Sequence, residues 1–162
     1  MVRKLVVRVY GILINEKEEV LLSDEIIKGF KTTKFPGGGL ELGEGVLECL
    51  VRELKEECAI DLVSASHFHT TENFITSKWD EECQVICMYY LCQSQQLHTI
   101  PTSNKKFDLI EKAGIDAESF RWVDIYALDE ETDVNLPADK TVIDLLIEKY
   151  PKVGFKMPGL NR

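Results

Sequence analysis

The sequence has no hydrophobic run that approaches the roughly 18 uncharged residues of a membrane-spanning helix, so we expect no membrane span. Basic residues are also scarce: 19 lysines and arginines stand against 28 aspartates and glutamates, for a net charge of −9. Binding along a nucleic-acid backbone requires a basic face, so this balance argues against a nucleic-acid polymer as a partner. A small anionic ligand remains compatible, because a bound divalent cation can reverse the local field.

Several familiar motifs are absent as well. The five cysteines form no Cys-x2-Cys pair that would indicate zinc, and we expect reduced, buried thiols in a cytoplasmic protein. Arg8 interrupts the apolar N-terminal stretch, and no small-residue cleavage pattern follows it, which argues against a signal peptide. No Gly-Lys-Ser/Thr P-loop and no Gly-x-Gly-x-x-Gly dinucleotide motif occurs.

Length and hydrophobic patterning predict one domain of mixed helices and strands. The 162 residues suffice for a single core, so we expect one domain over 1–162 with an irregular tail from about 151. Predicted strands cover 5–14, 19–23, 83–92 and 119–124, with 83–92 central and buried on both faces. Predicted helices cover 46–58 and 138–150. A long polar connection over 93–118 is of the kind that often serves function.

A glycine loop followed by an acidic helix is the most informative segment, and it reads FPGGGLELGEGVLECLVRELKEECAI over residues 35–60. A helix turns about 100° per residue, which places Glu53, Glu56 and Glu57 within about 100° of arc. Like charges at this spacing destabilise a helix by about 0.2–0.5 kcal/mol per pair. A cation would offset them, and Mg²⁺ is the natural candidate because it prefers oxygen ligands and joins carboxylates to phosphates.

The same helix carries an apolar stripe that we expect to face the core. Its members share an arc of about 100°: Leu47, Leu50, Val51, Leu54 and Cys58. The acids occupy another arc, so the sequence predicts a buried side and a separate acidic side.

The segment Gly38–Ile60 resembles the Nudix box of the Nudix hydrolases. The matching positions are Gly38, Glu44, Arg52, Glu53, Leu54, Glu56, Glu57 and Ile60, and Ala59 stands where the family normally has glycine. The resemblance implies an α/β/α sandwich with a central mixed sheet and Mg²⁺ or Mn²⁺ dependence. It also implies hydrolysis of the pyrophosphate linkage of a nucleoside diphosphate derivative, such as a nucleoside triphosphate or a nucleotide sugar. Proteins of this family are often homodimers, so a dimer is possible here.

The resemblance also implies roles for individual residues. Glu53, Glu56 and Glu57 would be metal ligands, and Arg52 would orient them, since a guanidinium holds carboxylates by paired hydrogen bonds. The glycines at 37–39 (Gly37, Gly38 and Gly39) would shape the loop at the pyrophosphate, because without a Cβ the backbone N–H groups can approach phosphate closely.

The general base stays open at this point. Glu57 or Glu53 can serve, or a carboxylate can reach in from the 93–118 connection. The loop candidates are Glu111, Asp116 and Glu118. Glu118 is the first choice among these because it immediately precedes a predicted strand. The alternative is that all three are solvated surface charges.

Substrate contacts outside the glycine loop are also predicted. Lys34 is either a phosphate contact or a surface lysine, and Asp139 resembles the position where some Nudix enzymes hydrogen-bond a base. Phe30, Phe74 and Trp79 can stack on a base, although we expect at least two of them to be core residues.

Two other functions compete with hydrolysis. One is a non-catalytic, nucleotide-binding Nudix-like module that regulates a partner. The other is isopentenyl-diphosphate isomerase, which has a related fold but needs a catalytic cysteine in its pocket. The cysteines here are expected to be core residues, which disfavours the isomerase.

Overall fold

The computed structural model describes residues 1–27, 29–108, 118–128, 134 and 136–150. Its helices and strands in chain order are β1 (Lys4–Leu13), β2 (Glu19–Ile27), β3 (Phe30–Lys34), β4 (Gly37–Gly39), α1 (Val46–Cys58), β5 (Ser64–Thr70), β6 (Thr76–Ser77), β7 (Asp80–Gln93), β8 (Glu118–Asp124) and α2 (Pro137–Lys149). None of the helices in this part of the chain is long and apolar enough to cross a membrane.

The strands form a mixed sheet and a smaller antiparallel sheet. The larger sheet has the order β4-β1-β7-β5, and β6 also pairs with β7. β1 and β7 run parallel, with Lys4 opposite Cys83 and Leu13 opposite Cys92, whereas β4, β5 and β6 pair antiparallel. In the smaller sheet β2 lies between β3 and β8. The predicted central mixed sheet is therefore confirmed.

The two helices pack on different hydrophobic clusters, and the strands separate them. α1 buries Leu50 and Leu54 against Val9, Leu13 and other residues of one cluster. α2 contributes its own apolar residues to the second cluster, which includes residues of β1, β2, β7 and β8. Because successive side chains of a strand point to opposite faces, the strands supply both clusters. The layers are helix, sheet and helix, as the resemblance implied.

The orientation of α1 corrects one sequence prediction. Leu47 and Val51 are 52% and 50% exposed, so they do not belong to the buried stripe. The buried residues are Cys49, Leu50, Leu54 and Cys58. The helix is rotated toward the arc of the acids, and the side chains of Glu53 and Glu57 are only 13% and 18% exposed. The acidic side and the buried side therefore overlap, because the helix presses its acids against the glycine strand β4.

Two strands also differ from the prediction. β2 continues to Ile27, beyond the predicted end at Ser23, and this extension carries Glu25. β7 is central and longer than predicted, but most of its residues are only partly buried, so the predicted burial on both faces is wrong. The expectation that the thiols are unpaired and buried is confirmed, since all five cysteines are free and buried. The irregular tail predicted from about 151 lies outside the described residues.

The C-terminus of α1 provides a first prediction. Ala59 has φ 56° and ψ 31°, the left-handed conformation, and its N–H donates to Lys55 O at 3.2 Å. This conformation costs alanine about 1 kcal/mol relative to glycine. We expect Ala59→Gly to raise the free energy of unfolding by up to about 1 kcal/mol, measured by urea denaturation, with hydrolytic activity unchanged. A destabilised variant would show that the Ala59 methyl makes packing contacts that outweigh the strain.

Candidate active site

Three carboxylates converge where α1 faces the smaller sheet. Glu57 comes from the last turn of α1, Glu25 from β2 and Glu118 from β8, and one oxygen of each lies within 4.8 Å of the others. β2 and β8 are paired so that Glu25 and Glu118 are direct cross-strand neighbours. Ser23 Oγ lies 2.8 Å from an oxygen of both residues and fixes their relative position. We call these three residues the acidic cluster.

Lys34 is the counter-ion of the acidic cluster. Its side chain is 2% exposed, and Nζ lies 2.7 Å from Glu25 Oε1 and 3.7 Å from Glu57 Oε1. It also donates to Gly37 O at 3.0 Å. Lys34 is thus neither a surface lysine nor directed at solvent, and its predicted contact with a phosphate stays a prediction.

The electrostatics of this group follow from burial and from mutual repulsion. Burial raises the pKa of Glu118 to about 8, and the charges of Glu57 and Glu25 add to this effect. Burial also raises the pKa of Glu57. For Glu25 burial acts in the same direction, but Lys34 and hydrogen bonds outweigh it, and its pKa is lowered. Burial alone would lower the pKa of Lys34, yet the two carboxylates beside it raise it above the ordinary value.

The acidic cluster fits a divalent cation. Three ionised carboxylates and one ammonium leave two negative charges in a partly buried space. Carboxylate oxygens are the ligands that Mg²⁺ and Mn²⁺ prefer. The raised pKa of Glu118 indicates that full ionisation is unfavourable without added positive charge, which a bound dication would supply.

The glycine strand β4 closes the other side of the site. Gly37 N–H donates to Glu57 Oε2 at 2.8 Å, so the loop holds the carboxylate directly. At Gly38 a Cβ would lie 2.3 Å from the carboxyl group of Glu53, which shows how closely α1 packs there. Gly39 O accepts a hydrogen bond from Arg52 Nη2 at 3.1 Å.

Arg52 organises the remaining acids of the Nudix box. It binds Glu44 through two parallel hydrogen bonds, from Nη2 at 2.7 Å and from Nε at 3.0 Å, and the Arg52 contact lowers the pKa of Glu44 to about 2. It also lies 2.9 Å from Glu53 Oε1 and 3.3 Å from Glu56 Oε2. The paired hydrogen bonds expected for this arginine are made with Glu44.

The predicted ligand trio is only partly brought together. Glu57 joins the acidic cluster, whereas Glu53 and Glu56 pair with Arg52, and Glu56 is 60% exposed at its side chain. Sequence reasoning missed Glu25. The available signal was the continued β-pattern past Ser23, which places Glu25 two residues along the same face of a strand. Glu118, the favoured loop acid, does reach the cluster, while Glu111 and Asp116 lie outside the described residues.

A cavity of about 430 Å³ opens on the face of the larger sheet that is opposite α1. Its walls come from β1, the β6–β7 hairpin and the start of α2, including Arg8, Tyr10, Trp79, Tyr89 and Asp139. Tyr10 connects it to the acidic cluster, because its ring lies 5.7 Å from Lys34 Nζ. Asp139, which was predicted from sequence as a substrate contact, is therefore on the wall of a cavity adjoining the cluster.

The three aromatic residues that could stack on a base are less buried than expected. Phe30 and Phe74 are 57% and 62% exposed, so the expectation that at least two of the three aromatic residues are core residues is wrong. Trp79 lines the cavity. Its indole nitrogen is buried and has no hydrogen-bond partner in the described part of the chain.

Two cysteines bear on the isomerase alternative. Cys83 and Cys87 line the cavity as well as belonging to the buried residues, so a thiol is present in the pocket. Burial raises the pKa of Cys87 to about 11. A protonated thiol is a poor nucleophile, which argues against a catalytic role for Cys87.

Comparisons with known proteins agree with this geometry. The family model described as NUDIX domain matches residues 4–146. A NUDIX hydrolase from Nitrosomonas europaea aligns with a TM-score of 0.66 at 17% identity over 90% of both chains. A MutT NUDIX hydrolase from Burkholderia pseudomallei aligns with a TM-score of 0.64 at 14% identity, covering 88% of this chain and 98% of that one. A chain from an analysis of MutT from Aliivibrio salmonicida and Vibrio cholerae gives 0.59 at 19% identity, covering 91% and 100%. A search of curated protein sequences found no match.

The family model spans most of the chain and includes the glycine loop, α1 and the strands that carry the acidic cluster. The protein therefore belongs to the Nudix family, as the box at Gly38–Ile60 predicted. It is an enzyme of the Nudix pyrophosphohydrolase class.

Proposed function

We propose that this protein hydrolyses the pyrophosphate linkage of a small nucleoside diphosphate derivative, such as a nucleoside triphosphate or a nucleotide sugar, in a reaction that requires Mg²⁺ or Mn²⁺. The observation that carries the proposal is the acidic cluster beside the glycine strand. Glu25, Glu57 and Glu118 would hold the cation. The ligand roles of Glu53 and Glu56 stay a prediction that follows from the Nudix box.

The cation would stabilise the negative charge that develops on phosphate oxygens during attack on a diphosphate. The residues of the chain supply the rest. Lys34 and the Gly37 N–H hold Glu57 in place, and the paired hydrogen bonds from Arg52 to Glu44 fix the N-terminal part of the box. Glu118 is our candidate to take up a proton from the attacking water, through the carboxylate oxygen that would not bind the cation.

The cavity beside Tyr10 would receive the nucleoside part of the substrate. It lies next to the acidic cluster, its walls are largely apolar and aromatic, and it has a small number of polar groups, as ligand sites generally do. Asp139 is the buried polar group at its α2 side, so it is our candidate for a contact with the base.

A chromatographic screen for the cleavage products, a nucleoside monophosphate and the second phosphorylated fragment, tests this function. Nucleoside di- and triphosphates and nucleotide sugars would be incubated with the protein in the presence of Mg²⁺, of Mn²⁺ or of excess chelator. We expect turnover of at least one compound with either metal, and loss of essentially all turnover with chelator that is restored by added Mg²⁺. Turnover that persists in chelator would contradict the proposal.

Measurement of binding by calorimetry, together with the activity screen, distinguishes an enzyme from a non-catalytic regulatory module. A non-catalytic module would bind a nucleotide tightly but form no cleavage product with any metal. Binding of Mn²⁺ by the protein alone, which the acidic cluster predicts, is measured in the same experiment and does not depend on finding the substrate. Absence of Mn²⁺ binding would remove the acidic cluster from the proposal.

A further inference from the structure

Lys34 brings a positive charge into the acidic cluster itself. Its side chain is 2% exposed, and its Nζ lies 2.7 Å from Glu25 Oε1 and 3.7 Å from Glu57 Oε1. In the part of the chain that the structure describes, no second lysine or arginine forms an ion pair with the cluster. Among these residues, the negative charge of the empty site is therefore balanced by one ammonium group alone.

The surroundings of Lys34 make it a fixed part of the cluster. The pairing of β3 with β2 sets it opposite Ser23, and its Nζ donates to Gly37 O at 3.0 Å. The ring of Tyr10 lies 5.7 Å from the same Nζ. Burial of an ammonium group is unfavourable unless carboxylates lie beside it. Lys34 and the acids thus stabilise each other while the site holds no metal.

A metal ion would have to share two of its ligands with Lys34. Glu25 and Glu57 belong to the acidic cluster, and both form ion pairs with the ammonium. The ammonium also repels a dication that binds to the same carboxylates. Metal affinity is the difference in free energy between the loaded and the empty site. Lys34 lowers the free energy of the empty site and raises that of the loaded site, so both effects weaken metal binding.

We propose that Lys34 is a resident counter-ion that opposes the metal: it stabilises the empty acidic cluster and lowers its affinity for a free dication. Lys34 thereby sets the range of metal concentration over which the enzyme is active. This inference rests on the proposed function, because it concerns the metal site of that reaction.

Lys34→Gln tests the charge separately from the hydrogen bonds, because the glutamine amide can still donate to Gly37 O or to Glu25. We would titrate the metal-free protein with Mn²⁺ in a calorimeter. A charge close to a charged site changes its binding equilibrium by about tenfold or more, so we expect the dissociation constant for Mn²⁺ to fall by at least about tenfold. If Lys34 only positioned the carboxylates, its loss would weaken Mn²⁺ binding. An unchanged or raised dissociation constant would overturn the inference.

Two further variants assign the effect to the charge at this position. Lys34→Arg keeps the positive charge, and we expect its dissociation constant for Mn²⁺ to stay within about threefold of the parental value. Lys31→Gln is the matched control, because Lys31 is an exposed residue of the same strand and points to the opposite face. It should bind Mn²⁺ as the parent does. Tightening in either variant as large as in Lys34→Gln would contradict the assignment.

Thermal stability provides a second measurement. Metal-free Lys34→Gln should melt at a lower temperature than the parent, because its three carboxylates have lost their counter-ion. The rise in melting temperature at saturating Mn²⁺ should be larger than in the parent, since it follows the affinity of the folded state for the metal. If the metal-free variant does not fold, Mn²⁺ should restore its circular dichroism spectrum. An equal or smaller rise, or no recovery of the spectrum, would overturn the inference.

The calorimetric experiment can fail independently of the proposed function, because it contains no substrate. With a verified substrate, Lys34→Gln should also need at least about tenfold less metal for half of its own maximal rate. Tighter Mn²⁺ binding by Lys34→Gln without hydrolysis of any compound would overturn only the reaction. Metal-dependent hydrolysis by the parent, combined with unchanged Mn²⁺ affinity in Lys34→Gln, would overturn only the role of Lys34.

Discussion

Glu57→Gln is expected to lower kcat by at least about a hundredfold while the protein stays folded. Substitution of a group that merely supports a metal ligand costs 10- to about 100-fold in activity or metal affinity, so loss of a ligand should reach the upper end of that range or exceed it. Glutamine keeps the length of the side chain, and its carbonyl oxygen can still accept from the Gly37 N–H. What it removes is one negative charge from the acidic cluster.

The stability of the same variant gives a readout that does not depend on activity. Burial raises the pKa of Glu57, which means that its charge is unfavourable in the metal-free protein. The melting temperature of metal-free Glu57→Gln should therefore equal or exceed that of the parent. The rise in melting temperature produced by Mg²⁺ or Mn²⁺ should shrink, because that rise depends on the affinity of the folded state for the metal.

Companion variants distinguish the acidic cluster from the remaining acids of the box. Glu25→Gln should lower kcat to a similar degree if β2 supplies a ligand, although no sequence motif marks this residue. Glu56→Gln tests whether Glu56 is a metal ligand, as the box predicts. In the structure its side chain is exposed and contacts Arg52. Glu72→Gln, at an exposed position, serves as the control for the substitution itself. If Glu57→Gln hydrolyses a verified substrate at the parental rate, the role of Glu57 is wrong.

The sequence predicted those parts of the site that are encoded within one short segment. The glycines, Arg52 and the acids of α1 follow one another within the box, so a local pattern and a helical wheel suffice to group them. The same local reasoning misplaced the core stripe of α1. The wheel gives angles around the helix but not its rotation against the sheet, and that rotation is set by close packing at Gly11 and Gly38.

Contacts between distant segments could not be predicted in the same way. Glu25 meets Glu57 only because β2 pairs with β8 and the smaller sheet lies beside α1. Lys34 lies within hydrogen-bonding distance of Glu25 because the pairing of β3 with β2 sets Lys34 opposite Ser23. The cavity likewise combines β1, the β6–β7 hairpin and α2, so Asp139 and Trp79 share no signal in the sequence. Pairing register, rather than composition, determines these contacts.

Gly37→Ala is expected to destabilise the protein by about 2–5 kcal/mol, because the new methyl group meets backbone and the residue has an unfavourable conformation. Gly37 has φ +135°, and a Cβ there would lie 2.2 Å from Val9 O and 2.8 Å from Tyr10 Cα. Both atoms belong to the neighbouring strand β1 and cannot move without breaking the pairing of β4 with β1. The melting temperature should fall by about 5–15 °C in a thermal scan of the metal-free protein.

The neighbouring glycines separate the effect on folding from the effect on the site. A Cβ at Gly39 would meet no atom within 4 Å, and its φ is not positive, so Gly39→Ala should change stability by less than about 0.5 kcal/mol. A Cβ at Gly38 would collide with the carboxyl group of Glu53, which is the end of a flexible side chain. Gly38→Ala should therefore displace Glu53 and lower activity more than stability. Equal destabilisation by all three substitutions would contradict this account, because it would mean that the glycines share one general role instead of three separate contacts.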